Sequence, residues 1–240
     1  LVIPHVTPAP HPRRDELIAT VERAIGEHLR ALLRDPAFRG AEIAWRSLDL
    51  LLRRAGVANP VHVHLCDATR AELEADLLRA GAIEACALHR ALAPRGVDPH
   101  APRATLWIPL ELFDVEERDA ALLARLAELA LACGALVLAS AHARLFGCAE
   151  LAPDSDPDGR VLGPPDAERA WDALRAAPAA AHIALAAPRL LLRLPYGARG
   201  TEVEGLAFEE LAPEDGPAGY LWGPGALGVA LFLGEQLAEE

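Results

Sequence analysis

Lysine and methionine are missing from this sequence of 240 residues, and all 23 basic residues are arginine. The lack of lysine excludes a Walker-type phosphate loop, and the glycines at 197 and 200 fit neither such a loop nor a dinucleotide fingerprint. Methionine is missing even at position 1, where leucine stands. We therefore expect the chain to be part of a longer product.

Cysteine is scarce, and long apolar runs are missing. The four cysteines, at positions 66, 86, 133 and 148, contain no CxxC pair, which is typical of reduced thiols in a cytoplasmic protein. Arginine or glutamate interrupts each apolar run before it reaches membrane-spanning length, and the first residues do not resemble a signal peptide. We expect a cytoplasmic protein that does not insert into a membrane.

Basic residues are fewer than acidic residues, 23 against 35, and the formal net charge is −12. A protein that binds nucleic acid needs a basic face for the phosphates, so the charge argues against nucleic acid as a partner. Apolar residues, in contrast, make up 52% of the chain. A chain of this length and composition can bury a substantial core.

Short apolar strands alternate with amphipathic helices along the sequence. The segments that predict strands lie at 61–66, 105–110, 135–139 and 182–186. This alternation indicates a layered α/β fold with a central mixed β-sheet covered by helices. Residues 1–14 are predicted to form an extended N-terminal arm and residues 15–240 a single α/β domain. The loop at 150–165 is predicted to be a weak internal boundary.

Several helix ends have local signals. Asp35 followed by Pro36 predicts an N-cap with proline in the first turn of a helix. Two pairs with the spacing of a capping box are Thr69 with Glu72 and Asp114 with Glu117. A terminal helix is predicted over 222–239.

The leucine-rich stretch after Pro188 is the least generic part of the chain. Proline can occupy the first turn of a helix, and a short helix is predicted over 189–194, with Arg189 and Arg193 on one face. We expect at least one of these arginines to pair with an acidic residue, and the nearest are Glu209 and Glu210. The alternative is that these arginines and acids lie on a solvent-exposed rim, where ion pairs contribute little to stability.

Two places carry residue types that occur in metal or catalytic sites. His62, His64 and Cys66 share one face of the predicted strand, but neighbouring positions on one face lie roughly 7 Å apart and do not converge on one ion. Ser140 and His142 flank a strand end, where the glycines of a nucleophile elbow are missing. We expect no catalytic, cofactor-binding or metal-binding residues and no enzyme activity. The alternative is an α/β enzyme or ligand-binding domain with its site at one of these places.

A series of motifs runs in order along nearly the whole chain. Their residues are Phe38, Trp45, Arg46, Trp171, Arg175, Pro188, Arg189, Arg193, Pro195, Tyr196, Gly197, Phe208, Glu209, Glu210, Leu221, Trp222 and Gly223. This series resembles the large sheath subunit of type VI secretion systems, the TssC or VipB family. Serine stands at position 47, where the family has glycine, and the family's C-terminal region is lacking.

The resemblance implies a structural subunit of a contractile type VI secretion sheath, or of a closely related sheath-like assembly. Such a subunit polymerises with a small sheath subunit around an inner tube. The implied partners are the small sheath subunit and neighbouring copies, with inner-tube or baseplate proteins as further partners. No cofactor is implied, and the motif residues take structural and assembly roles. The proline-rich N-terminal arm is expected to add a strand to a neighbour.

Overall fold

A computed structural model gives the structure of residues 12–55, 62–93, 105–151, 163–198 and 200–239. Most of the predicted arm at 1–14 and of the predicted loop at 150–165 lies outside these residues. The chain divides into two compact units, each built from segments that are distant in sequence. Unit 1 comprises Leu1–Trp45 with Leu191–Trp222, and unit 2 comprises Arg46–Leu190 with Gly223–Glu240.

Helices and short strands alternate through most of the described residues. The α-helices are α1 (Arg14–Arg34), α2 (Pro36–Ala55), α3 (Arg70–Leu77), α4 (Ala87–Leu92), α5 (Glu117–Cys133), α6 (Pro165–Ala176) and α7 (Gly225–Glu239). The strands are β1 (Leu106–Trp107), β2 (Leu112–Phe113), β3 (Leu136–Ala141), β4 (Ile183–Ala186), β5 (Leu190–Arg193) and β6 (Leu221–Gly223).

The sheet of unit 2 is built around β3. Strands β1 and β2 follow one another along one edge of β3, with Leu106 beside Leu136 and Leu112 beside Ser140, and β4 pairs with the other edge. The α/β fold class predicted from the sequence is confirmed. All three of these pairings are parallel. The mixture of parallel and antiparallel strands that we expected in the central sheet is therefore not found in them.

Both faces of this sheet carry a hydrophobic cluster. Val137 and Ala139 belong to the larger cluster, which includes residues of α5 and α6, whereas Leu138 packs in a second cluster with Ala226 and Ala230 of α7. Successive side chains of a strand point to opposite faces. Helices therefore cover the sheet on two sides, as a parallel sheet requires.

The N-terminus of α7 approaches the sheet closely. The Ser140 hydroxyl, which is 1% exposed, accepts a hydrogen bond from the N–H of Ala226 at 3.0 Å. A Cβ at Gly225 would lie 2.6 Å from the carbonyl oxygen of Pro188, so this position requires glycine. The terminal helix was predicted to start at Trp222, but Trp222 lies in β6 and the helix starts at Gly225.

Two of the predicted helix N-termini are confirmed. The Asp35 carboxylate accepts hydrogen bonds from the N–H groups of Ala37 and Phe38, each at 3.0 Å. The capping box of Thr69 and Glu72 is present in both directions. These signals succeed because each involves residues within one turn of the helix.

Three further local predictions are wrong. Residues 189–194 do not form a helix, because the run between the prolines at 188 and 195 is too short for a stable helix, and as β5 it pairs with β6. Residues 62–66 form no strand, since no neighbouring strand pairs with them. Asp114 does not cap α5, whose N-cap is Glu116; the Asp114 carboxylate pairs with Arg144 instead.

Candidate functional site

The arginine at position 193 is the centre of a buried ion-pair cluster in unit 1. Its guanidinium donates to the Glu42 carboxylate at 2.6 and 3.1 Å and to the Glu210 carboxylate at 2.6 and 3.0 Å. The side chains of Arg193, Glu42 and Glu210 are 7%, 12% and 4% exposed. The predicted pairing of this arginine with one of the two nearest acids is therefore confirmed.

The same cluster fixes the turn that follows β5. The Glu210 carboxylate accepts a hydrogen bond from the Tyr196 N–H at 2.8 Å, and the Arg193 guanidinium lies 4.4 Å from the centre of the Tyr196 ring. Burial alone lowers the pKa of Arg193, but the hydrogen bonds to Glu42 and Glu210 raise it more, so the pKa lies above its ordinary value. The guanidinium is therefore charged and held between two carboxylates.

Glycine is required at position 197 in the same turn. Its φ is +140°, and a Cβ there would collide with the Glu209 carboxylate. This carboxylate accepts a hydrogen bond from the N–H of Ala198 at 3.0 Å. The Glu209 carbonyl in turn accepts from Arg30 of α1 at 2.9 Å, and the Arg30 guanidinium lies 6.0 Å from the centre of the Phe208 ring. Each residue of the acidic motif at 208–210 thus has a defined contact.

The motif at 221–223 is held by hydrogen bonds from side chains to backbone carbonyl groups and by ring stacking. The Trp222 indole N–H donates to the carbonyl of Pro217 at 2.8 Å, and its ring stacks on Tyr220 with 6.2 Å between centroids. Arg39 of α2 donates to the Tyr220 carbonyl at 2.9 Å. Sequence reasoning missed Arg39, because its partner lies 181 residues away. Leu221 and Gly223 are buried in β6.

The remaining motif residues do not join this cluster. Trp171 is buried in the core of unit 2, and the guanidinium of Arg175 donates to the Leu145 carbonyl at 3.4 Å. Pro188 and Arg189 are exposed. Two further motif residues are half-buried, Arg46 and Pro195.

Two aromatic motif residues are on the surface instead of in a core. Phe38 and Trp45 of α2 are 38% and 67% exposed. Helix α1 likewise exposes large aliphatic side chains by 41–56%: Leu17, Ile18, Val21, Ile25 and Leu32. Exposed apolar patches of this kind are typical of sites where proteins interact.

The structure describes the residues of both alternative sites, Ser140 with His142 and His62 with His64. The Ser140 hydroxyl is buried and bonded to α7, and the Nδ1 atom of His142 accepts the N–H of Arg144 at 3.3 Å. His62 and His64 are exposed on a segment without regular structure. Among the described residues, no group of three or more histidines, cysteines and acids has the arrangement of a metal site. No helix in the described ranges is long and apolar enough to cross a membrane.

Unit 2 has its own network of ion pairs, which sequence reasoning did not find. Arg70 donates to Glu74 at 2.8 Å and also pairs with Asp119, while Arg118 pairs with Glu74. The hydrogen bond from Arg70 holds the pKa of Glu74 below its ordinary value. Burial alone raises the pKa of Asp114, but the hydrogen bonds from Arg144 and the Val115 N–H outweigh this effect and lower it.

Acid should therefore weaken unit 2. A carboxylate whose pKa is lower in the folded than in the unfolded protein stabilises the fold above its unfolded pKa, and this contribution is lost as the pH falls through the folded value. We expect stability against urea to drop below about pH 4, near the ordinary pKa of these acids. A variant with Glu74→Gln and Asp114→Asn should be less stable than the wild type at neutral pH. It should also lose less stability when the pH is lowered. An equal loss of stability in the variant and the wild type would show that these two carboxylates do not cause the acid sensitivity.

Two comparisons with known proteins both identify sheath proteins. The model of the family described as EvpB/VC_A0108, tail sheath N-terminal domain (VipB), matches residues 15–240. The type VI secretion system sheath protein TssC1 of Pseudomonas aeruginosa is 23% identical over 228 residues, which cover 91% of this chain and 45% of that protein. The chain thus spans less than half the length of this curated relative.

Proposed function

Because the chain belongs to the tail sheath family described as EvpB/VC_A0108 (VipB), we propose that it is a structural subunit of a contractile type VI secretion sheath. In this role it polymerises with a small sheath subunit around an inner tube and contacts neighbouring copies. Inner-tube or baseplate proteins are further partners. The proposal includes a cytoplasmic location and the lack of enzyme activity.

One observation carries the proposal, namely the apolar surface of α1. Five large aliphatic residues of this helix are 41–56% exposed, whereas Gly26 and Leu33 of the same helix are buried. A surface of this kind costs solvation free energy until a partner covers it. A subunit that works in an assembly would have such a surface, and a catalytic site would not require it.

The buried cluster around Arg193 supports the same role in a different way. It joins α2, β5 and the motif at 208–210 through charged hydrogen bonds. Such hydrogen bonds are short and geometrically specific. A subunit that transmits movement in a contractile assembly needs rigid parts, because small shifts are transmitted only through packed elements.

Two further observations fit the proposal. All four cysteines are free thiols, as is usual in the cytoplasm. Ser140, near the end of the central strand β3, holds α7 through its hydroxyl. Its hydroxyl is thus engaged in packing instead of being presented as a nucleophile.

The test is assembly with the small sheath subunit of the same secretion system. We expect the mixed proteins to co-elute in size-exclusion chromatography as a stable complex and to form tubular polymers in negative-stain electron microscopy, with each protein alone as the control. A stable and specific contact should bury more than about 1,000 Å² in total. If the chain remains monomeric at high concentration with the small subunit present, the proposed function is wrong.

A further inference from the structure

The histidine that follows β3 begins a short turn of 3₁₀ helix, Ala143–Phe146. Its ring nitrogen Nδ1 accepts the N–H of Arg144 at 3.3 Å, so His142 caps the turn. A nitrogen that accepts an N–H must offer a lone pair, which means that the ring proton is on Nε2 and the ring is neutral. His142 therefore caps this turn only while its side chain is uncharged.

A second partner for the same nitrogen lies at the end of the neighbouring strand. Asp114 follows β2, which pairs with β3, and its Oδ1 atom is 3.8 Å from Nδ1 of His142. A movement of about 1 Å would bring these atoms to the distance of a charge-assisted hydrogen bond. The side chains of His142 and Asp114 are 35% and 26% exposed, so protons from the solvent reach the ring without unfolding.

The Asp114 carboxylate has the charge and the free capacity for this partner. It pairs with the guanidinium of Arg144 through Oδ2 and accepts the Val115 N–H through Oδ1 at 2.7 Å. An ionised carboxylate has about four acceptor positions, so a third donor displaces neither of these two. Burial alone raises the pKa of Asp114, but the hydrogen bonds outweigh this effect, so the pKa lies below its ordinary value. The carboxylate thus stays charged where histidine titrates.

The other charged groups near this pair are already engaged with one another. Asp119 of α5 accepts the Asp114 N–H at 2.6 Å and pairs with Arg70 of α3. Arg70 also reaches the Glu111 carboxylate at 3.3 Å. Within the described part of the chain, Asp114 is the one carboxylate that lies within ion-pair distance of the His142 ring. A protonated ring therefore has a single acidic partner.

We propose that His142 is a pH-sensitive switch between these two partners. When the ring is neutral, Nδ1 accepts the Arg144 N–H and caps the turn. When the ring is protonated, Nδ1 donates to the Asp114 carboxylate, and the Arg144 N–H loses its acceptor. Histidine changes its charge between about pH 5 and 8. The switch therefore operates above the pH range in which carboxylates lose their charge.

The rest of the turn keeps its contacts in both states. The Leu145 N–H donates to the His142 carbonyl at 3.0 Å, and the Cys148 N–H donates to the Ala143 carbonyl at 3.2 Å. Leu145 is 1% exposed and anchors the turn in the core of unit 2. The switch thus changes the backbone at Arg144 alone. At lower pH it also links the ends of β2 and β3 through side chains.

NMR of the protein with isotope-labelled histidine shows which ring nitrogen carries the proton. At about pH 8, His142 should have a proton on Nε2 alone, and at about pH 5.5 on both nitrogens. His182 is the internal control, because its Nδ1 lies 2.8 Å from the Ala135 carbonyl. A carbonyl only accepts, so His182 should keep its proton on Nδ1 at both pH values. A proton on Nδ1 of His142 at the higher pH would overturn the inference.

Hydrogen exchange of the Arg144 amide measures the loss of the cap. Its protection, relative to an unstructured chain, should fall roughly five-fold between about pH 7.5 and 5.5, the factor that corresponds to one net hydrogen bond. The Leu145 amide should keep its protection, because its acceptor is a backbone carbonyl. In a His142→Asn variant the cap does not titrate, so the protection of Arg144 should be equal at both pH values. Unchanged protection in the wild type, or an equal fall in the variant, would contradict the switch.

The variant Asp114→Asn tests the second partner. It keeps an acceptor oxygen but removes the charge, so His142 should take up its proton only at a lower pH than in the wild type. If it takes up the proton at the same pH, Asp114 is not the partner, and the inference is wrong. If this variant does not fold, as judged by circular dichroism, the two measurements on the wild type still decide. All of them use the isolated protein, so a failure here leaves the proposed function unaffected.

Discussion

Replacing Arg193 with alanine should lower the free energy of unfolding by about 3–5 kcal/mol, the usual cost of removing one partner from a buried ion pair. The variant would keep two carboxylates, those of Glu42 and Glu210, which are 12% and 4% exposed. Without the guanidinium, their burial and their mutual repulsion would have no compensation. Urea denaturation followed by circular dichroism measures the loss.

An exposed ion pair offers the matched control. Arg53 pairs with Asp49 at 2.8 Å on α2, where the two side chains are 77% and 58% exposed. Arg53→Ala removes the same side chain and should leave the urea midpoint nearly unchanged, because solvent screens such pairs. Glu210→Gln should lie between the two, since the amide oxygen can still accept the Tyr196 N–H. Equal effects of Arg53→Ala and Arg193→Ala would show that the cluster does not stabilise unit 1.

Signals confined to a few neighbouring residues were sufficient for much of the fold. Asp35 before Pro36 and Thr69 before Glu72 determine their helix N-termini through contacts within one turn. The strand at 183–186 could be predicted because prolines and an apolar run define it locally. The α/β class followed from the order of such elements, which sequence periodicity reports well.

Contacts between distant residues explain the errors. The run at 189–194 has arginines four residues apart, as on a helix face, but its pairing strand β6 starts at Leu221. Glu210 could be named as a partner of Arg193 because it lies nearby in sequence. Glu42 lies 151 residues away, and nothing in the sequence connects it with Arg193. Hydrogen bonds between strands depend on a partner that periodicity does not reveal.

The periodicity of α1 and α2 identified apolar faces without showing what covers them. Leu17, Val21 and Ile25 have the spacing of a core face, yet they are exposed. A core helix and an interface helix have the same amphipathic pattern, because both bury an apolar face away from water. The pattern does not show whether the same chain or a partner covers that face. The candidate assembly surface could therefore be assigned only from the structure.

Replacing Trp171 with alanine should lower the free energy of unfolding by about 3–5 kcal/mol, because it leaves a large cavity in the core. Trp171 of α6 is 1% exposed and belongs to the main hydrophobic cluster of unit 2, together with residues of α5 and β3. A buried site that cannot collapse loses both the transfer free energy of the ring and its packing contacts. Urea denaturation again provides the measurement.

Two further variants separate cavity formation from other causes. The indole N–H of Trp171 has no hydrogen-bond partner in the described part of the protein, so Trp171→Phe loses volume but no hydrogen bond and should cost clearly less than alanine. Trp45→Ala makes the same substitution at a tryptophan that is 67% exposed, and at concentrations where the protein is monomeric it should change stability little. If Trp171→Phe is as harmful as Trp171→Ala, the indole N–H has a role that packing does not explain. If Trp45→Ala is as harmful as either, its side chain contributes to the fold of the monomer and does not belong to a free surface.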